Sequence, residues 1–197
     1  MTTPLLKTLS AIDEINNQDQ NTMIVEGVSA PKELIYGKQM SACLEKYWPA
    51  SDEILQIAVR AQHIKRWHLK RTEFAAGKAG YYQWRIALGK FHAQLTEKLM
   101  IENGYNNDLA AQTASILRKE NLKTNAHSQT LEDVACLVFL QYYFDDFARK
   151  YTEKNNEEKI IRIVQKTWGK MSEKAHGIAL AMSFPDHLAK LIEKALA

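Results

Sequence analysis

Apolar side chains recur at intervals of three and four along almost the whole chain, and this periodicity constrains the fold more than any other feature. Leu5, Leu6, Leu9, Ile12 and Ile15 mark one helical stripe within residues 4–17. Ile54, Leu55, Ile57, Ala58, Val59, Ala61 and Ile64 cover nearly every side of a helix that opens after Ser51, a plausible cap. A helix that is apolar all round is a buried one. Thr130, Asp133, Leu137, Leu140 and Phe144 form the inward stripe of a long helix from about 128 to 151. Further helices are expected over 31–47, 81–103, 107–119, 157–169, 173–182 and 185–196, three of them set by Pro31, Gly104 and Pro185 at their ends. No pair of segments shows the sustained alternation of strands. The expectation is an all-α fold of about eight or nine helices.

Eight glycines and four prolines in 197 residues suit that reading, because both residues interrupt helix interiors. The length favours one domain over 1–197, with a core at about 31–151 and the helices of 157–196 packed on it. Apolar residues at 46% exclude a disordered chain. The net charge of +3, from 26 basic and 23 acidic residues, is too weak to argue for a nucleic-acid partner. No run reaches the 18 or more apolar residues of a membrane span, and residues 1–7 lack the pattern of a signal peptide. Cys43 and Cys136 lie among apolar neighbours and form no metal-type doublet. A reduced, cytoplasmic protein is expected.

Three ionisable residues fall where apolar ones belong. His63 ends the buried third helix, His92 sits on the stripe Leu88, His92, Leu95, Leu99, and Asp133 lies on the inward stripe of the long helix. A buried carboxylate is costly unless it is paired or coordinated, and imidazole and carboxylate are common metal ligands. The plainer reading of each histidine is a core residue bonded to a backbone carbonyl. Asp133, within the first turn, could simply cap its own helix and satisfy that helix's free donors. A basic constellation accompanies them: Arg66 and Arg71 around Trp67, Arg85 seven residues before His92, and Lys119 and Lys123 flanking Glu120. Guanidinium forks suit phosphate. There is no glycine-rich phosphate loop, no Gly-x-Ser-x-Gly turn and no Cys-x-x-Cys pair.

Six phrases taken together carry a resemblance: 34–40 (LIYGKQM), 61–67 (AQHIKRW), 79–85 (AGYYQWR), 90–93 (KFHA), 130–140 (TLEDVACLVFL) and 166–171 (KTWGKM). With them the chain resembles the family called domain of unknown function 4202, over nearly its whole length. The order of the phrases is also similar to the His-Asp (HD) metal-dependent phosphohydrolase superfamily. That similarity implies an HD-like helical cup in which His63, His92 and Asp133 ligate a divalent metal and Glu120 is a fourth ligand or a base for water. Ile64 stands where the superfamily's doublet has its aspartate, and Tyr36-Gly37 stands where its opening histidine falls.

Two functions follow as expectations. One is a metal-dependent hydrolase of a phosphate-bearing small molecule or nucleotide. There Arg66, Arg71, Arg85, Lys119 and Lys123 would bind the substrate, with Arg66 and Arg85 also offsetting transition-state charge. The other is a non-catalytic helical module that binds a phosphorylated or anionic ligand through the same cations. RNA binding through 65–71 is a third, weaker reading.

Overall fold

Helix α3 (Glu53–Ala61) is the hub of the first half of the chain. Ile57, Ala58, Val59 and Ala61 are wholly inaccessible to solvent, as the all-round apolar pattern requires. The computed structural model describes residues 2–122, 124–154 and 156–197. Around α3 pack α1 (Pro4–Asn16), α2 (Lys32–Tyr47), α4 (Gly77–Glu102) and α5 (Asn107–Leu117). Ile12 from α1, Met40 from α2, Ala93 and Met100 from α4 and Ala110 from α5 complete this core, all at 0% exposure. The expected all-α class holds.

Helix starts follow local chemistry. Thr3, Asp52, Asn106 and Ser172 each accept a hydrogen bond from the backbone N–H three residues on, which satisfies a donor the helix leaves free. The cap of α3 is Asp52 rather than Ser51, whose hydroxyl donates to the Trp48 carbonyl at 2.6 Å instead. The α4 helix begins four residues before the expected 81. Gly77 takes φ +81, and a Cβ on Gly80 would stand 1.8 Å from the Ala75 carbonyl oxygen, so the tight entry demands glycine.

A small hairpin departs from the helical expectation. β1 (Thr22–Val25) pairs antiparallel with β2 (Val28–Pro31), with Val25 opposite Val28. Glu26 and Gly27 both have positive φ, 51° and 80°, the pattern of a type I′ turn, whose twist matches the strands. Met23 and Val25 of β1 are half-buried in alternation with exposed Thr22 and Ile24, and Ile24 and Val28 are apolar yet exposed, so the hydrophobic pattern does not follow the faces of the strands.

The chain divides into two compact units, Met1–Leu131 and Glu132–Ala197. The division falls inside α6 (Ala126–Val138). In place of one continuous helix to 151, a π-helical turn over Phe139–Tyr143 separates α6 from α7 (Phe144–Thr152). The second unit adds α8 (Glu157–Trp168), α9 (Glu173–Leu180) and α10 (Asp186–Leu196), close to the expected bounds. There α8 packs on α7 and α10, and Phe144, Val134, Leu137 and Ile160 are fully buried. Among the described residues no helix is long and apolar enough to cross a membrane.

Candidate functional site

The first unit holds a cleft of about 360 Å³ between the turn after α3, one face of α4 and the end of α5, within the size range of small-molecule sites. Gln62, His63 and Arg66 come from the turn, Arg85, Lys90 and His92 from α4, and Arg118, Lys119 and Glu120 from the end of α5. Gly89 sits between Arg85 and His92 on the same face, so the space a side chain would fill there is left open.

Backbone strain marks two of the three walls. Lys65 (φ 48°), Lys119 (φ 56°) and Asn121 (φ 53°) are left-handed without being glycine, a conformation that persists only where surrounding structure enforces it. At Lys65 the enforcement is visible, because its N–H donates to Asn16 Oδ1 at 2.9 Å. Asn16 is 1% exposed, and its amide also donates to the Glu33 carbonyl at 3.5 Å. One buried amide therefore ties the end of α1 to both the start of α2 and the turn that carries His63 and Arg66.

His63 is the centre of a polar cluster. Its Nδ1 lies 3.0 Å from Glu33 Oε2, and Arg66 Nη1 donates to its Nε2 at 2.5 Å. A guanidinium can only donate, so Nε2 accepts and Nδ1 carries the proton shared with Glu33. Tyr36 stacks on the ring at 4.0 Å between centroids and donates its hydroxyl to Gln62 Oε1 at 2.9 Å. Arg66 also lies over the Trp84 ring, 5.0 Å from its centroid, and 4.0 Å from Glu33 Oε1. Trp84 is fixed in turn by donation to the Leu69 carbonyl at 2.9 Å.

The electrostatics of the cleft are unbalanced. Five lining side chains are cationic (Arg66, Arg85, Lys90, Arg118, Lys119) and one, Glu120, is acidic. Arg118 holds Glu120 through Nε at 2.7 Å and Nη2 at 3.2 Å, and that bond keeps the carboxyl below its ordinary pKa. Arg85 makes no ion pair among the described residues. Burial, then the charges of Arg66, Arg85, Lys119 and Lys32, hold His63 well below the usual imidazole range. His92 is lowered in the same way, first by burial and then by His63, Arg66 and Arg85. Burial raises the Glu33 carboxyl, against the opposing pull of Arg66 and Lys32, and burial lowers the Arg66 guanidinium, against Glu33. Both imidazoles are therefore neutral at pH 7, among cations that favour a negative charge.

His92 stands out within this set. It is 4% exposed, and its ring centre lies 6.3 Å from that of His63. Its Nε2 is fully buried and has no hydrogen-bond partner among the described residues.

The expected site residues separate. His63, Arg66, Arg85, His92, Lys119 and Glu120 are brought to one cleft. Arg71 is not among the lining residues; its guanidinium donates to the carbonyls of Phe74 at 3.0 Å and Gly77 at 3.2 Å, bracing the entry to α4. Lys123 lies outside the described residues. Asp133 belongs to the second unit, at 2% exposure, where its Oδ1 accepts from Ser172 N at 2.8 Å and its Oδ2 from Ser172 Oγ at 2.5 Å. It therefore fixes the start of α9 and does not, through these bonds, cap its own helix as the plainer reading expected. Among the described residues no three of His, Cys, Asp and Glu are grouped as a metal ion requires. Of the three expected ligands only His92 offers an atom with no partner.

Glu33, Tyr36, Gln62 and Asn16 are the site residues that sequence reasoning missed. Glu33 carries the one available signal, since it is 8% exposed in the first turn of α2 on a face otherwise apolar, but its partner is thirty residues away. No curated protein and no solved structure matches the chain. A family model described as "Domain of unknown function (DUF4202)" matches residues 6–192, nearly the whole sequence, and the chain belongs to that family.

Proposed function

We propose that the cleft of the first unit binds a small phosphorylated or similarly anionic molecule. The observation that carries this reading is the surplus of cations: Arg85, Lys90 and Lys119 line the cleft beside Arg66, which Glu33 balances, and Arg118, which holds Glu120. Like charges gathered on a partly buried surface repel one another, and an anion between them relieves that repulsion. Arg66 and Arg85 supply the forked donors that match phosphate oxygens, and Lys119 adds a point charge. The open position at Gly89 leaves the ligand room between Arg85 and the imidazoles.

The test is calorimetric titration of the full chain with a panel of phosphate monoesters, repeated with Arg85→Ala and Arg66→Ala. Each charged hydrogen bond lost is worth about 1.5–3 kcal/mol, so each variant is expected to bind about ten- to a hundred-fold more weakly. Unchanged affinity in both variants contradicts the proposal.

A second reading is metal-assisted hydrolysis of that same ligand. It is favoured by the two imidazoles 6.3 Å apart in one cleft, with Glu33 bonded behind His63, because a carboxylate behind a histidine is a common support for a metal ligand. As arranged, His63 Nε2 is bonded to Arg66 and no third candidate ligand among the described residues joins the two imidazoles, so the residues present do not form a ligand set. Metal content measured on untagged protein, beside His63→Ala, separates the readings. About one divalent metal per chain, lost in the variant, favours hydrolysis; none after incubation with zinc, manganese and iron leaves the binding module.

A further inference from the structure

A buried polar atom without a partner costs a folded protein free energy, so each one calls for an explanation. His92 Nε2 is such an atom among the described residues, and His92 lines the cationic cleft. A neutral imidazole carries a proton on one nitrogen and a lone pair on the other, and a hydroxyl can bond either. Arg66, which reaches His63 Nε2 at 2.5 Å, and the His63 ring, 6.3 Å from that of His92, set the scale. A phosphate held by Arg66 lies within the span of a short carbon chain from His92.

We infer that the ligand carries a hydroxyl group a few atoms from its phosphate, and that this hydroxyl forms a hydrogen bond with His92 Nε2. The ligand class is thus a polyol or sugar phosphate rather than a simple alkyl phosphate. The inference rests on the cleft being an anion site, and it adds the feature that selects among anions. The cations provide attraction common to every phosphate. His92 provides a contact that only a hydroxyl-bearing ligand can complete. A site built to bond a hydroxyl discriminates sharply against an analogue that lacks it, because the ring nitrogen is then buried unpaired.

The experiment compares glycerol 3-phosphate with n-propyl phosphate by calorimetry on the full chain, with His92→Phe as the variant. The expected result is at least ten-fold tighter binding of glycerol 3-phosphate, a preference that disappears in the variant. Because His92→Phe could fail to fold, the parent protein is also read by nitrogen-15 NMR. There the His92 Nε2 resonance is expected to move with glycerol 3-phosphate and to stay in place with n-propyl phosphate. Equal binding of the two probes, or an unmoved Nε2 resonance, overturns the inference and leaves the anion site standing. Failure of every phosphate monoester to bind overturns both. Stoichiometric zinc binding that shifts the Nε2 resonance and blocks glycerol 3-phosphate also overturns it, since a metal would then be the partner of that nitrogen.

Discussion

Glu33 Oε2 and His63 Nδ1 are 3.0 Å apart across thirty residues of sequence, and this bond joins the start of α2 to the turn that closes α3. Through it the carboxylate sets the tautomer of His63, turning Nε2 toward Arg66. The whole cluster depends on that orientation. Glu33→Gln keeps the shape but not the charge that balances Arg66, and removing the charged partner of a buried hydrogen bond costs about 1.5–3 kcal/mol. Chemical denaturation of Glu33→Gln is expected to show a loss of that size. No loss would mean that the bond does not hold the turn.

The two neutral imidazoles make stability depend on pH with a definite sign. Burial and nearby cations depress His63 and His92 below their unfolded value, which is about 6.5. Above that value both rings are neutral in the folded and unfolded states, and stability is fully present. As pH falls below about 6.5 the unfolded chain gains protons that the folded one refuses. Stability is then lost at up to about 1.4 kcal/mol per pH unit for each ring. Urea denaturation at pH 7.0 and 5.5 should show this fall, and His92→Gln should reduce the slope. A flat profile between those pH values contradicts the assignment.

Two glycines of α4 should respond in opposite ways to alanine. A Cβ on Gly89 meets nothing closer than the Leu117 carbonyl oxygen at 3.8 Å, so Gly89→Ala is expected to stabilise the helix by about 0.5–1 kcal/mol. The same methyl group enters the cleft and should weaken phosphate binding. At Gly80 the Cβ would meet the Ala75 carbonyl oxygen at 1.8 Å, and Gly80→Ala should destabilise the fold. Thermal denaturation of the two variants, with binding measured on the first, checks both signs.

Asp133 accepts two hydrogen bonds from Ser172 in the second unit, and this account gives it no part in the anion site. Asp133→Ala leaves the half-buried N–H and hydroxyl of Ser172 without their acceptor, at a cost of about 1–3 kcal/mol. Denaturation should register that cost while phosphate affinity stays within two-fold of the parent. Loss of affinity in a folded Asp133→Ala protein would instead favour the metal-ligand role implied by the superfamily similarity.

The sequence carried the helices well and the site in part, for reasons that differ. Helix α3 was legible because six of its nine residues are apolar and buried, and no competing pattern overlies that signal. The hairpin at 22–31 was not, because Ile24 and Val28 face solvent and its one cue, Glu26-Gly27, is a weak turn signal. His63, Arg66, Arg85 and His92 were legible as ionisable residues on apolar or continuous faces. Glu33 and Asn16 were not, because each acts on the site from a distant element through a bond that local spacing does not encode. Asp133 was correctly read as buried and engaged, but spacing says nothing of which partner engages it.

The most direct test of the central claim is to map where a phosphate ester lands. Two-dimensional NMR of the full chain, titrated with glycerol 3-phosphate, reports this residue by residue. The account predicts that backbone signals at 62–66, 85–92 and 117–120 move together and saturate at one concentration, while those of 160–196 stay in place. Signals that move only outside those three segments, or that drift without saturating, would contradict it.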